Sequence, residues 1–249
     1  MPHPDISLPR LIAHRGLSAH APENTLAAVR AAHDAGCSWV ELDVQLLGDG
    51  TPVIWHDASM RRCSDSRGRL ADLDLPAARR LDVGAWFGDA FRGERIATLN
   101  EMLRLIAECG MGLNLELKVN RGRSAAALVE EAVPAALDAL PPERLIVSSF
   151  ADDARAWARE LAPASRLALG VLFEGVGRGW RERCAALEAF SVHADWRRLG
   201  RRSATAVKDD GYALLSYTPN DPAAFAHLWA WGVDAAISDD PSRFAGHLP

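Results

Sequence analysis

The sequence predicts an α/β fold, and within that class a (β/α)8 barrel of the TIM-barrel type. Three observations support this. Short apolar runs with strand character alternate with Ala-, Leu-, Arg- and Glu-rich stretches of helical length along most of the chain. The length, 249 residues, suits eight strand–helix units. Charged residues recur near the ends of the strand-like runs, where a barrel gathers its active site. A hydrophobic content of 49% supplies a core of that size, so residues 1–249 are expected to form one barrel domain. Periodicity alone leaves a doubly wound open sheet as the rival. The absence of GxGxxG after the first run weakens a dinucleotide-binding version of it.

The elements follow in order. "LIAHRG" (Leu11–Gly16) is the first strand. "PENTLAAVRAAHDAG" reads as a helix, with Asn24 or Thr25 as cap and Gly36 as stop. "SWVELDVQL" (Ser38–Leu46) is the second strand. The Asp49-Gly50 pair signals a hairpin that folds "PVIWHD" back onto "VQL". Counting outward from that turn places Asp43 opposite His56. Residues 58–97 break the rhythm with turns, a short helical piece and the aromatic residues Trp86 and Phe87. They are too long for a simple connection and are expected to form an inserted lobe or lid.

Alternation then resumes. "TLNEMLRLIAECG" is a helix, "MGLNLELKV" a strand, and "SAAALVEEAVPAALDAL" a helix kinked or ended at Pro134. "RLIVSSF", "RLALGVLF", "AFSVHADW", "YALLSYTP" and "VDAAISD" are strands. Between them lie helices at "DDARAWARELA", "GWRERCAAL", "RRSATAVKDDG" and "NDPAAFAHLWAWG", and "DPSRF" begins a last helical turn. With the hairpin's returning arm set aside, eight strands remain.

Composition narrows the partners. With 33 acidic and 28 basic residues the net charge is -5, which gives no global reason to bind nucleic acid or an anionic membrane surface. No run of 18 or more apolar residues suggests a membrane span, and Met1–Arg10 lacks the apolar core of a signal peptide, so a cytoplasmic protein is expected. The four cysteines form no CxxC or zinc pattern and read as buried or incidental thiols. Nothing in the sequence assigns an oligomeric state.

The chemistry concentrates at strand ends. Glu41 and Asp43 share a strand face, as do Glu116 and Lys118, because side chains alternate with period two. Charges inside a barrel mouth are costly unless paired or metal-bound. Glu41, Asp43 and Glu116 form an oxygen donor set suited to Mg2+, Mn2+ or Ca2+. The competing reading pairs Glu41 with Arg15 and Glu116 with Lys118 as structural ion pairs. His14 and His56 are the natural proton carriers near neutral pH. Arg15 and Lys118 would oppose the charge of an anionic substrate such as a phosphate ester. These residues alone do not choose between monoester, diester and carboxylate. His193 lies in a strand-like run and is intermediate; His3, His20, His33, His227 and His247 read as surface or helix-face residues.

The ordered series "HRG" (14–16), "PENT" (22–25), "ELD" (41–43), "DGTPVIWHD", "LNLELK", "SSF", "SYTPN" and "GVDAAISDDP" resembles the glycerophosphodiester phosphodiesterase family, particularly its compact bacterial cytoplasmic members. The resemblance runs from about Leu11 to Phe244. It implies a barrel with an insertion after the second histidine, here at 58–97. It implies hydrolysis of a small-molecule glycerophosphodiester to sn-glycerol 3-phosphate and an alcohol. By the same resemblance Glu41, Asp43 and Glu116 hold one divalent cation, Mg2+ or Ca2+, with Mn2+ possible. His14 and His56 serve as general acid and base, and Arg15 and Lys118 contact phosphate. Tyr217 stands where the family often has Trp, near the glycerol end. The nucleophile is either the neighbouring glycerol 2-hydroxyl or water, and the two histidine roles are not assigned. A lysophospholipase D or sphingomyelinase D-like phosphodiesterase, another phosphorylated-metabolite enzyme on the same fold, and a non-catalytic phospho-ligand binding barrel are the alternatives.

Overall fold

The computed structural model describes residues 3–248. Eight parallel strands form its centre: β1 (Leu11–His14), β2 (Trp39–Leu46), β4 (Gly112–Leu117), β5 (Leu145–Ser149), β6 (Ala168–Phe173), β7 (Ser191–Asp195), β8 (Ala213–Tyr217) and β9 (Ala235–Ser238). Their order is β1-β9-β8-β7-β6-β5-β4-β2, and β1 also pairs with β2. The sheet is therefore closed, and the open doubly wound rival is excluded. Closure leaves every one of these strands with two neighbours and no free edge.

Helices α1 (Leu26–Asp34), α3 (Leu99–Glu108), α4 (Ala125–Ala139), α5 (Asp152–Leu161), α6 (Trp180–Ala186), α7 (Arg201–Asp209) and α8 (Pro222–Trp229) lie between successive strands, with the four-residue α2 (Leu75–Ala78) inside the 58–97 segment. Their starts have local causes. Thr25 caps α1 by accepting from the Ala28 amide. Thr98 and Glu101 form a reciprocal capping box on α3. Asp221 caps α8, and Pro222 occupies its first turn. The helix α4 continues past Pro134 to Ala139, so it does not end there. Pro134 and Glu130 are both exposed, so water can satisfy the carbonyl that the proline cannot engage.

Apolar side chains pack on both faces of the sheet, as parallel strands require. Ala13, Val40, Leu42, Leu113, Leu115 and Val147 face the helices. Ile12, Trp39, Ile146, Ala168, Leu215, Ala235 and Ile237 fill the interior. Nearer the strand C-termini several inward residues are polar, Glu41, Glu116, Lys118 and His193 among them, which moves the chemistry to one end.

The hairpin brings β3 (Pro52–Ile54) antiparallel to β2, with Val44 opposite Ile54 and Leu46 opposite Pro52. The Trp55 amide donates to the Asp43 carbonyl at 2.9 Å, so Trp55 and not His56 lies opposite Asp43. The one-residue difference from expectation comes from the turn. Leu47 donates to Thr51 at 2.9 Å, and the loop is Gly48-Asp49-Gly50 rather than a two-residue Asp-Gly turn. Gly50, at φ 87°, supplies the left-handed residue that such a loop needs. Residues 58–97 wrap around their own apolar cluster, in which Met60, Cys63, Leu70, Ala78, Val83 and Ile96 pack against Leu47, Val53 and Trp55 of the hairpin. All four cysteines are free thiols. Among the described residues no helix is long and apolar enough to cross a membrane.

Candidate active site and metal centre

Strand register converts sequence spacing into proximity. Asp43 pairs with Glu116 across β2 and β4, and His14 pairs with Glu41 across β1 and β2. One oxygen each from Glu41, Asp43 and Glu116 lies within 4.8 Å of the others, and all three residues are buried. A cavity of about 180 Å3 opens above them, lined in part by His14, Arg15, Glu41, His56, Glu116, Lys118 and Tyr217. Of the eight site residues expected from sequence, only Asp43 does not line this cavity. It sits directly behind it, with Arg15 Nε at 3.3 Å and Lys118 Nζ at 3.4 Å. A larger depression of about 760 Å3 lies at the other end of the barrel, beside His3, Arg10, Lys208, Tyr212 and Asp234. Among the described residues it gathers no carboxylate group comparable to Glu41, Asp43 and Glu116, so convergence of chemistry, not size, selects the smaller cavity.

The three carboxylates have different environments. Burial pushes Asp43 upward, but Lys118 and then Arg15 outweigh it and hold its carboxyl at about 2. Asn24 reinforces this: its Nδ2 donates to Asp43 Oδ2 at 2.8 Å, and its Oδ1 accepts the Asp43 amide at 3.1 Å. Glu116 is pushed up to about 7 by burial and then by Asp43, despite Lys118 Nζ at 2.6 Å from its Oε1. Glu41 is raised by burial and by both neighbouring carboxylates. Its Oε2 accepts the Arg15 amide at 3.3 Å, whereas its buried Oε1 has no partner among the described residues. The ion pairs foreseen as a structural alternative exist in part, but Arg15 and Lys118 converge on Asp43 and leave Glu41 short of positive charge. Hard oxygen donors, mutual repulsion and an orphaned buried oxygen together fit a divalent cation.

Each histidine stands in a matching arrangement. His14 Nδ1 donates to Asp239 Oδ1 at 2.6 Å, and His56 Nδ1 donates to Asp57 Oδ1 at 2.6 Å. Both bonds commit Nδ1 and leave Nε2 for chemistry. Asp239 is held in turn by Ser18 Oγ at 3.1 Å and Asn220 Nδ2 at 2.6 Å. Burial raises its carboxyl, but the His14 bond and its other donors bring it to about 2. Asp57, raised by burial, is brought to about 2 by Arg62 and His56. Arg62 also pairs with Glu23, which accepts Arg15 Nη1 at 2.7 Å. Burial is the largest influence on His56 and lowers its imidazole, with Asp43 opposing.

Asp239, Asp57, Asn24, Glu23 and Arg62 were not picked out as site residues from sequence. Asp239 had a usable signal, because it follows the last barrel strand at the active end. Asp57 had a weaker one, adjacency to His56. Tyr217 presents its ring to the cavity, while its hydroxyl donates to the Phe173 carbonyl at 2.7 Å. Phe150 meets that ring edge-on at 6.1 Å.

With the closed barrel, these groups place the chain among barrel enzymes that perform acid–base chemistry on anionic substrates. Comparison with known proteins makes this specific. The profile of the Glycerophosphoryl diester phosphodiesterase family matches residues 14–243. A glycerophosphodiester phosphodiesterase of Caldanaerobacter subterraneus subsp. tengcongensis is 34% identical over 93% of this chain and 94% of its own length. The structure of an Oleispira antarctica phosphodiesterase in complex with the product sn-glycerol-3-phosphate superposes with a TM-score of 0.92, at 36% identity and 96% coverage of both chains. An Agrobacterium tumefaciens glycerophosphodiester phosphodiesterase structure shares the fold at TM-score 0.76 and 24% identity, covering 96% of this chain and 100% of its own. The chain belongs to the glycerophosphoryl diester phosphodiesterase family. That family is metal-dependent, and the buried triad Glu41, Asp43 and Glu116 is a group that could hold the ion.

Proposed function

We propose that this chain hydrolyses glycerophosphodiesters to sn-glycerol 3-phosphate and a free alcohol at the C-terminal mouth of its barrel. The observation that carries the reading is the meeting of two histidine–aspartate pairs with a buried three-carboxylate cluster over one cavity. The product bound by the Oleispira relative supports the choice of substrate.

Glu41, Asp43 and Glu116 are assigned to Mg2+ or Ca2+, with Mn2+ an acceptable substitute, since all three accept carboxylate oxygens. When bound, the ion supplies Lewis-acid charge for a phosphoryl oxygen. Arg15 and Lys118 add fixed positive charge beside it, held by Asp43. Arginine's second anchor, Glu23, keeps the fork from swinging away.

One histidine accepts a proton at Nε2 from the nucleophile, and the other donates one from Nε2 to the departing alcohol oxygen. The Asp57 and Asp239 carboxylates stabilise whichever imidazole is charged and hold each ring in position. A glycerol 2-hydroxyl is the favoured nucleophile, because a tethered group avoids much of the entropic cost of recruiting water. Its attack on phosphorus expels the alcohol and leaves a cyclic phosphate, which water then opens to sn-glycerol 3-phosphate with the two histidines exchanging acid and base roles. Tyr217 and Phe150 give the substrate an aromatic wall. The 58–97 segment acts as the lobe bordering the alcohol side, since Arg62 on it touches both Asp57 and Glu23.

The test is release of sn-glycerol 3-phosphate from glycerophosphocholine, glycerophosphoethanolamine and glycerophosphoglycerol in EDTA, then with Mg2+, Mn2+ or Ca2+. Cation-restored release is expected, and the ranking of the three defines the alcohol side. Folded protein that releases nothing from any of them, yet cleaves lysophospholipids, would transfer the assignment to a lysophospholipase D.

A further inference from the structure

The cavity floor holds polar atoms that the mechanism above does not use. Asn114 on β4 and His193 on β7 both line it, from strands separated by β5 and β6. Both side chains are buried, at 1% and 0% exposure. His193 Nε2 shares a hydrogen bond with Ser191 Oγ at 2.8 Å. Its Nδ1 and the Oδ1 of Asn114 have no partner among the described residues. Room for the ring is built in: a Cβ on Gly170, the β6 residue beside it, would lie 2.6 Å from His193 Nε2. Burying such groups unpaired is costly, so a cavity lined by two of them is shaped to receive a hydrogen-bonding ligand atom.

The chemistry of the floor defines that atom. Burial lowers the His193 imidazole to about 3, so the ring is neutral. In the tautomer whose Nε2 accepts from Ser191 Oγ, Nδ1 carries a proton to give, while Asn114 Oδ1 can only accept. A group that both donates and accepts satisfies the pair, and a hydroxyl does so. Leu172 and Ile237 line the same floor. Apolar neighbours suit a methylene and disfavour a phosphate, which is charged and accepts only.

We propose that Asn114 and His193 are specificity-determining residues that recognise the terminal CH2OH of the substrate's glycerol moiety. The inference rests on the glycerophosphodiester reading above and names the part of the substrate that enters deepest.

The test compares kcat/KM for glycerophosphocholine with that for 2-hydroxypropyl phosphocholine. The second substrate keeps the phosphodiester and the middle hydroxyl but ends in a methyl group. The wild type is expected to prefer the glycerol ester by about 100-fold or more, as sites with buried polar groups reject analogues that leave them unpaired. His193→Phe and Asn114→Leu should each lower the glycerol ester by at least about tenfold and leave the methyl analogue within about threefold, cutting the preference by about tenfold. Equal losses on both substrates would reduce the two residues to structural roles and overturn the proposal. So would a wild-type preference near one, whether or not the variants fold. Cleavage of neither substrate by the folded wild type would instead remove the glycerophosphodiester reading itself.

Discussion

Replacing Asp239 by asparagine isolates what its carboxylate does for His14. The side-chain volume is nearly unchanged, so packing is preserved. The hydrogen bonding is not. Asp239 Oδ1 accepts from His14 Nδ1 at 2.6 Å and Ser18 Oγ at 3.1 Å, while Oδ2 accepts from Asn220 Nδ2 at 2.6 Å. An amide offers one oxygen and one NH2, so one of the two sides must face donor against donor. Asn220 cannot easily turn to help, because its Oδ1 already accepts Ser238 Oγ at 2.9 Å and the Asp239 amide at 3.0 Å. What is lost at His14 is a charge-assisted hydrogen bond, worth about 1.5–3 kcal/mol. If that energy holds the imidazole for proton transfer, kcat falls by about 10- to 150-fold, at about 1.4 kcal/mol per factor of ten. Asp239 does not line the cavity, so KM should stay within about threefold. Steady-state release of sn-glycerol 3-phosphate from glycerophosphocholine at saturating Mg2+ reads both constants, and thermal unfolding verifies the fold. A variant with kcat within twofold of the wild type would refute the view that this carboxylate orients a proton-transferring His14.

Other consequences can be checked separately. Gln45 Nε2 donates to the carbonyls of Trp55 at 2.8 Å and His56 at 2.7 Å, so Gln45→Met strands buried acceptors. It should cost about 2–3 kcal/mol in urea unfolding and lower kcat by loosening His56. In Tyr217→Phe only the bond to the Phe173 carbonyl is lost. About 1 kcal/mol of stability should go while kcat/KM stays within about threefold, whereas Tyr217→Ala should lose more. Without a cation, Glu116 titrates at about 7 in the folded state, above its ordinary 4.5. The folded state then holds the extra proton, so this stabilisation is complete below pH 4.5 and lost as pH rises through about 7. The melting temperature in EDTA should therefore fall between pH 5.5 and 8. Added Mg2+ should raise it more at pH 8 than at pH 5.5, because binding displaces protons; an equal rise at both would contradict the assignment of Glu116 to the cation.

The barrel was legible in the sequence because its parallel strands are buried on both faces and appear as short, mainly apolar runs between helical stretches, broken by polar residues chiefly in β2 and β4. Closure was not legible, since the β1–β2 pairing joins segments whose local pattern would serve an open sheet equally well. The carboxylates and Lys118 of the candidate site were readable from the i,i+2 spacing of Glu41 with Asp43 and of Glu116 with Lys118. The partners that orient the histidines were harder to see. Asp239 lies 225 positions from His14 and meets it only when the barrel closes. Asn24 was weighed only as a helix cap, a role taken by Thr25, while its amide engages Asp43 at both ends. The hairpin register slipped by one because Gly48 joins the turn, its amide donating to Leu73 at 2.8 Å in the inserted segment. That tie is tertiary, and no local turn signal carries it. His193 was intermediate in the sequence because a strand pattern does not say which face is the barrel interior.

The most direct test of the central claim is the initial rate of sn-glycerol 3-phosphate release from glycerophosphocholine by metal-stripped wild type, the same protein with Mg2+ restored, and folded His14→Ala and His56→Ala variants with Mg2+. The account predicts a negligible rate for the stripped protein, recovery with Mg2+, and losses of about 100-fold or more for each variant. Full turnover by the stripped protein, or near-wild-type turnover by either histidine variant, would contradict it.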